Sequence, residues 1–304
     1  MNNYRHSIID LIYLALKGYL AGPYENRPAL DEVVQFQSGL AWMTGPPGQP
    51  LRAGASVIDI LGAMFGVIAV QGALRERDET GIGQRVSSSL FESAVFLMGS
   101  HMAGMVATGL DARPMPARRG AWAVYDVFNT GDDGQLFIGV TSDQQWERFI
   151  LEFNLEKLAA DPRLETNVTR LAERSWLLPE IQAALLKFTQ KELEQRCEHC
   201  NISWAPVGQP KDLFEDPHLL ATGGLVDVFV SKFGEDIGKM TGLPALPVEF
   251  GMERKRPKVR LQPPKIGEHN EEILLQYGFE KDEIQSLYRS SVLTDYKRIK
   301  TLSD

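Results

Sequence analysis

The apolar residues are most densely arranged between residues 60 and 74, where they run nearly all the way round a helix with three glycines and no charge. A helix that is apolar on every side is typical of a buried position. Its small residues, among them Gly62 and Gly66, allow close packing against neighbours. Charges return at Arg75, and Gly81 predicts the C-terminal end of the helix. We expect this helix to lie at the centre of the fold.

Asp59 stands at the beginning of this helix, between Ile58 and Ile60. Backbone N–H groups are unpaired at a helix N-terminus, and the helix dipole favours an anion there. One interpretation is that Asp59 is an N-cap, a role that Asp commonly fills. The other is that a carboxylate held against an apolar wall acts as a nucleophile. Position alone leaves both interpretations open.

The rest of the pattern alternates short apolar strands with amphipathic helices, which predicts an α/β protein. We expect a large lobe over residues 1–112, a smaller α+β lobe over 113–240, and a segment 241–304 that returns to the large lobe. The predicted strands cover residues 8–16, 85–89, 122–128, 135–141 and 204–207. The predicted helices cover residues 30–39, 59–80, 90–108, 143–153 and 177–197.

Composition narrows the class of protein. A net charge of −8 argues against general nucleic-acid binding, which needs a basic surface. Asp10 and Lys17 interrupt the first apolar run, so no signal peptide is expected. No run free of charge reaches the length of a bilayer span, so we expect no membrane contact.

The chain has two cysteines, Cys197 and Cys200. No second cysteine pair follows at zinc-ligand spacing, so we expect no metal and interpret both as reduced thiols. Reduced thiols suit the cytoplasm, which is the predicted location.

The segment around Asp59 carries a specific combination of residues. It has small residues before the aspartate, a helix rich in glycine and alanine after it, and then an L-x-x-R-x-x-T-G-x-G-Q run. The matching residues are Gly54, Ala55, Asp59, Gly62, Ala73, Leu74, Arg77, Thr80, Gly81, Gly83 and Gln84. This combination resembles the CaiB/BaiF family of CoA-transferases, family III, which includes formyl-CoA transferase. The resemblance implies that Asp59 is the catalytic aspartate that becomes acylated.

The resemblance also implies a fold and binding residues. The expected fold is a partial Rossmann-like large lobe plus a smaller α+β lobe. Lys17, Gly18, Tyr19 and Leu20 would lie along CoA, and Arg119 and Gly120 would belong to the substrate loop. From position alone, Lys17 could equally be a solvated loop residue, and Arg118 and Arg119 could be surface charges. CoA would be a substrate rather than a resident cofactor, and the family implies a homodimer.

The family mechanism runs through covalent intermediates on the aspartate. The Asp59 carboxylate would attack a donor thioester, and the CoA thiolate would then return to form an aspartyl-CoA thioester. Backbone amides at the helix start would stabilise the developing oxyanions. An acceptor acid would complete the transfer by the reverse steps.

Two other functions stay open. Racemases of 2-methylacyl-CoA resemble the same fold but carry a His-Asp pair where this chain has Leu30 and Asp31. A two-base racemase mechanism loses one proton carrier without that imidazole. The chain could also be an inactive remnant or the dimerisation partner of a longer relative.

Full members of the family begin with further strands and helices before the strand at residues 8–16. A sheet without that part would expose a strand edge and apolar helix faces. A shortened gene product, a partner chain that supplies the missing part and a different start site are all compatible with this pattern.

Overall fold

The computed structural model describes residues 9–117, 120–231 and 238–295. The chain divides into two compact units. One comprises Met1–Tyr125 and Val140–Pro179, and the other comprises Asp126–Gly139 and Glu180–Asp304. The mixed α/β class agrees with the expectation from the sequence. The division at residues 112 and 240 stays a prediction.

The first unit begins with a parallel two-stranded sheet, β1 (Tyr13–Lys17) and β2 (Arg85–Ser89). Tyr13 lies opposite Arg85, and Lys17 lies opposite Ser89, so both strands end at the same edge. Helices α1 (Asp31–Gln37), α2 (Leu40–Thr44) and α3 (Val57–Thr80) connect the strands, and α4 (Leu90–Thr108) follows β2. The predicted bounds of β2 and α4 are confirmed, whereas α3 begins at Val57, two residues before the predicted start at Asp59.

The remaining helices of the first unit are short. They are α5 (Asp143–Glu152), α6 (Glu156–Ala159), α7 (Asn167–Ala172) and α8 (Arg174–Leu185), the last of which continues into the second unit. Arg170 is buried among them, where it pairs with Asp143 and lies over the Trp146 ring. This buried charge is therefore satisfied by a carboxylate and an aromatic face.

A three-stranded sheet lies almost wholly in the second unit. Its strands are β3 (Tyr125–Asn129), β4 (Gln135–Gly139) and β5 (Ser203–Pro206), in that order, with β4 and β5 antiparallel. The adjacent β3 and β4 agree with the predicted hairpin. The second unit also contains α9 (Gln190–His199), α10 (Pro217–Ala221), the antiparallel pair β6 (Leu225–Ser231) and β7 (Gly238–Pro244), α11 (Asn270–Gln276) and α12 (Lys281–Arg289).

The prediction of one helix over residues 177–197 was wrong. Helix α8 ends at Leu185 and α9 begins at Gln190. Thr189 accepts a hydrogen bond from the Glu192 N–H, and the Glu192 side chain bonds back to the Thr189 N–H. This capping box starts a new helix where the amphipathic pattern alone suggested continuity.

The expectation that α3 is buried was also wrong for the chain by itself. Only Ile58, Gly62, Gly66 and Ala73 are buried along the helix. Met64 and Ile68 on other sides are exposed by 56% and 63%. The reason is that β1 and β2 cover one side of α3, and the described residues leave much of its other apolar surface open. The sequence analysis also expected exposed apolar helix faces for a sheet without its first strands, and the open surface of α3 agrees with that second expectation.

Helices α3 and α4 are each long and apolar enough to cross a membrane, judged by length and composition alone. Core helices of soluble proteins meet the same criterion, so this finding is weak evidence for a membrane span. The expectation of no membrane contact stays a prediction.

The T-G-x-G-Q run forms the segment that connects α3 to β2. Gly81 has a φ of 73°, and its N–H bonds the Arg77 carbonyl, which ends the helix. A Cβ on Gly83 would lie well within 3.0 Å of backbone atoms of Asp10 and Leu11. The Gln84 amide donates to Glu76 at 2.7 Å. These residues hold the start of β2 beside the chain that enters β1.

We expect Gly83→Ala to lower the free energy of unfolding by about 1–3 kcal/mol, because the added methyl group meets backbone that cannot rotate away. Gly72→Ala is the matched control, since a Cβ there meets no atom within 4 Å. In a helix interior that change should raise stability by about 0.5–1 kcal/mol. Urea denaturation of both variants checks the prediction, and equal stability of Gly83→Ala and the wild type would contradict it.

Candidate active site

A pocket of about 380 Å³ lies at the edge where both strands of the parallel sheet end. Ligands of α/β proteins gather at the carboxyl ends of such strands. The end of β1, the end of β2 and the first turns of α3 and α4 form its walls. Its lining residues are Leu16, Lys17, Gly18, Ala29, Asp59, Gly62, Ala63, Ser88, Ser89 and Leu90. Asp59 is the only carboxylate among the described residues that line the pocket.

Asp59 is the third residue of α3 and is not its N-cap. Ser56 occupies the N-cap position and makes no side-chain capping bond. Within the described residues, no hydrogen bond reaches the Asp59 carboxylate. The geometry therefore contradicts the N-cap interpretation and leaves the carboxylate without a hydrogen-bond partner among the described residues.

The capping bonds of α3 come from another helix. Asp31, in the first turn of α1, accepts hydrogen bonds from the backbone N–H of Ile58 at 2.7 Å and of Asp59 at 3.2 Å through Oδ2. These two amides are therefore occupied. The expectation that helix-start amides stabilise an oxyanion fails for this pair, because both already donate to Asp31.

Asp31 is itself held by Gln35. The Gln35 amide nitrogen donates to Asp31 Oδ1, and Gln35 Oε1 accepts the backbone N–H of Ala53 at 2.9 Å. Asp31 is 3% exposed and Gln35 is fully buried. A buried carboxylate is costly unless its oxygens are hydrogen-bonded, and here both of them are.

The surroundings raise the pKa of Asp59 above its ordinary value. The largest cause is partial removal of water by neighbouring protein atoms, followed by the negative charges of Asp31 and Glu32. Both effects disfavour the charged form of a carboxyl group. Glu32 forms an ion pair with Arg52 at 2.8 Å.

Lys17 and Gly18 lie in the same pocket as Asp59. The Lys17 ammonium pairs with Glu25, and this contact lowers the pKa of the Glu25 carboxyl. A Cβ on Gly18 would lie within 3.0 Å of the Ala29 Cβ, so glycine permits the close approach of two pocket walls. The Gly18 carbonyl accepts the Phe91 N–H at 3.0 Å, which fixes the start of α4.

The other two residues of the predicted CoA segment do not line this pocket. Tyr19 is 3% exposed and packs in a core cluster with Val34 and Ile58, and its hydroxyl donates to Gln37 at 2.7 Å. Leu20 lies at the surface, where its N–H faces the Glu92 carboxylate at 3.2 Å. Their contact with CoA stays a prediction.

The predicted substrate loop is only partly within the described residues. Arg118 and Arg119 lie outside them. Gly120 is half-buried beside Trp122 and is not among the described residues that line the pocket. Its assignment to the substrate loop stays a prediction.

Sequence reasoning missed the role of Asp31 and Gln35. The sequence points to Asp31 only as the neighbour of Leu30 in the comparison with racemases. Asp31 and Gln35 are spaced at i and i+4, which places both on one face of a helix and was the available signal. The contact with residue 58 is long-range, and nothing in the local pattern indicates it.

The fold and pocket define an α/β protein with a carboxylate at the start of a helix, beside the carboxyl ends of two parallel strands. The model of CoA-transferase family III matches residues 3–270, and the chain belongs to this family.

Known CoA-transferases are similar to this chain in sequence, and a solved structure is similar to it in fold. An acyl-CoA transferase from Fusarium pseudograminearum is 30% identical over 93% of this chain, and a succinate–glutarate CoA-transferase from Agrobacterium fabrum is 29% identical over 88%. The chain spans 61% and 65% of the length of these two relatives. The crystal structure of a CaiB/BaiF family protein from Brucella suis matches 88% of this chain and 68% of its own, with a TM-score of 0.73 and 24% identity.

We expect the Asp59 carboxyl to titrate above the ordinary range for aspartate, because burial and two nearby negative charges make ionisation less favourable. Carbon-13 NMR of protein labelled at aspartate measures the titration, and Asp59→Asn assigns the signal. Glu32→Gln should lower the midpoint without changing the capping bonds. A midpoint at or below the ordinary value in the wild type would contradict the prediction.

Proposed function

We propose that this chain acts in the transfer of CoA from an acyl-CoA donor to a carboxylic acid, with Asp59 as the nucleophile. The observation that carries the proposal is the placement of Asp59. It lines a pocket at the ends of two parallel strands, and its carboxylate makes no hydrogen bond to the described residues. Membership of CoA-transferase family III supports the reaction class.

The proposed chemistry uses covalent catalysis in balanced steps. The Asp59 carboxylate attacks the thioester carbonyl, which forms a mixed anhydride and releases CoA thiolate. The thiolate attacks the aspartyl carbonyl of the anhydride, which gives an aspartyl-CoA thioester and the free donor acid. The acceptor carboxylate then attacks this thioester and again releases CoA thiolate. The thiolate takes the acceptor acyl group and regenerates the Asp59 carboxylate.

The names of relatives and one residue of the pocket support a substrate class. The Agrobacterium relative is named for succinate and glutarate, and another from Chloroflexus aurantiacus for succinyl-CoA and L-malate. We therefore propose a short dicarboxylic acid as one substrate. Lys17 is the one cation among the described lining residues, and it could meet an anionic group of either substrate.

The racemase alternative is less well supported. Leu30 occupies the position where those racemases carry histidine, and this residue is the 67% exposed N-cap of α1. A leucine side chain cannot carry a proton.

The open apolar surfaces support assembly with a second copy of the chain. Phe96 and Val106 on α4 are exposed by 70% and 88%, and Phe96 stacks edge-on against Phe65 of α3 at 5.2 Å. Apolar surface of this kind favours association. We also propose a cytoplasmic location, which two buried cysteines without a disulfide support.

The first test is acylation of Asp59. The full chain is incubated with succinyl-CoA and with acetyl-CoA, quenched with hydroxylamine and analysed by intact mass and peptide mapping. We expect a hydroxamate at Asp59, formed more with succinyl-CoA, and none in Asp59→Asn. Because acylation uses the carboxylate, its rate should rise with pH through the raised pKa of Asp59.

Asp78→Asn is the matched control, since this aspartate lies on the same helix at the surface and outside the pocket. In the Asp78→Asn variant, Asp59 should be acylated at the wild-type rate. Acylation that persists in Asp59→Asn, or none with any acyl-CoA in the wild type, would count against the proposal and favour the inactive-remnant alternative.

The second test concerns assembly. Light scattering should give about twice the chain mass of 33.9 kDa, as expected for a symmetric dimer. Val106→Glu should shift the mass toward one chain, because it places a charge in apolar surface that the second copy would cover. Val168→Glu is the control, since Val168 is 76% exposed on α7. A wild type of one-chain mass at all concentrations would refute the dimer.

A further inference from the structure

The first turn of α3 depends on a contact from outside the helix. The backbone N–H groups of Ile58 and Asp59 would otherwise be without partners, because Ser56 makes no capping bond. Asp31 supplies the acceptor from 28 positions earlier in the chain. A carboxylate is the strongest acceptor for such amides.

Packing and further hydrogen bonds support the contact between Asp31 and α3. Val34 on α1 and Ile58 on α3 are both fully buried in one core cluster, which presses the two helices together beside Asp31. Gln35 fixes the second oxygen of Asp31 and ties it to the backbone of Ala53 in the segment that leads into α3. The turn that carries Asp59 is therefore held from α1 by hydrogen bonds and by packing.

We propose that Asp31, supported by Gln35, is the positioning residue of the Asp59 site. Asp31 holds the backbone of the first turn of α3 and leaves the Asp59 side chain free for the acyl group. The proposal rests on the nucleophile role of Asp59 put forward above. It predicts that loss of Asp31 slows the acylation step more than it weakens binding of the acyl-CoA.

Among the described residues, the charges near Asp59 include Asp31 and Glu32 on α1, with Arg52 paired to Glu32, and Lys17 on β1, paired to Glu25. Removing either acid of α1 should therefore lower the titration midpoint of Asp59. Only Asp31 also bonds to α3. Glu32→Gln thus reports the effect of charge alone, and Asp31 variants report charge together with positioning.

The test uses four variants of the full chain: Asp31→Ala, Asp31→Asn, the double change Asp31→Asn with Gln35→Glu, and Glu32→Gln. The double change exchanges the amide and the carboxylate between the two positions. The amide introduced at position 31 can then accept from the α3 amides and donate to the carboxylate introduced at position 35. The other oxygen of that carboxylate accepts from the Ala53 N–H.

We expect Asp31→Ala to reduce the acylation rate constant at saturating succinyl-CoA by about tenfold or more. The reason is that a small displacement of the Asp59 carboxylate from the thioester carbonyl slows the reaction strongly. The half-saturating concentration should change less than about twofold. The double change should recover much of the rate that Asp31→Asn loses, and Glu32→Gln should keep nearly all of it. Wild-type rates in a folded Asp31→Ala would overturn the proposal.

Two further measurements do not need activity. Hydrogen exchange at the amides of Ile58 and Asp59 should be about tenfold faster or more in Asp31→Ala and close to wild type in Glu32→Gln. The NMR midpoint of Asp59 should fall in both Asp31→Asn and Glu32→Gln. If the wild type is not acylated, the proposed function fails, and the hydrogen-exchange measurement still decides whether Asp31 holds the first turn of α3. Unchanged exchange in every Asp31 variant would overturn it, and if Asp31→Ala does not fold, Asp31→Asn and the double change make the same comparison.

Discussion

The hydrogen bonds from the start of α3 to Asp31 are the interaction on which this site depends. A helix that begins without a side-chain cap of its own has free amides, and here those amides meet a buried carboxylate from α1. The same contact joins the first helix after β1 to the helix that leads into β2. It therefore connects the ends of β1 and β2, which line the pocket, with Asp59, which lines the same pocket.

The contact resolves a conflict between two electrostatic expectations for Asp59. A helix N-terminus alone stabilises an anion and would lower the pKa of a nearby carboxyl group. In this structure Asp31 takes the amides, and the pKa of Asp59 is raised, first by partial removal of water and then by the negative charges of Asp31 and Glu32.

Much of the fold could be predicted from the sequence, because the central elements have strong local signals. The glycine after Thr80 and the glycine after Thr108 mark the ends of α3 and α4, and both have a left-handed backbone. Asp59 and Lys17 were found through their motifs and lie in one pocket. Asp31 could not be found this way, since its role comes from a contact between residues 28 positions apart. Tyr19 shows the reverse case, because its motif suggested a ligand and its side chain lies in the core.

The exposed sides of α3 and α4 follow from how these helices pack. Small residues such as Gly62 and Gly66 face the strands, and close contact there uses one side of α3 only. The other sides carry Ile60, Met64 and Val67, which are more than half exposed. Such surface is costly in water at about 25 cal/mol per Å². A helix that is apolar on every side is stable only when every side packs against other protein surface. Helix α1 provides such packing only next to Asp59. The buried side of the first turn, at Ile58, is thus covered within this chain, whereas the exposed apolar faces need a further surface.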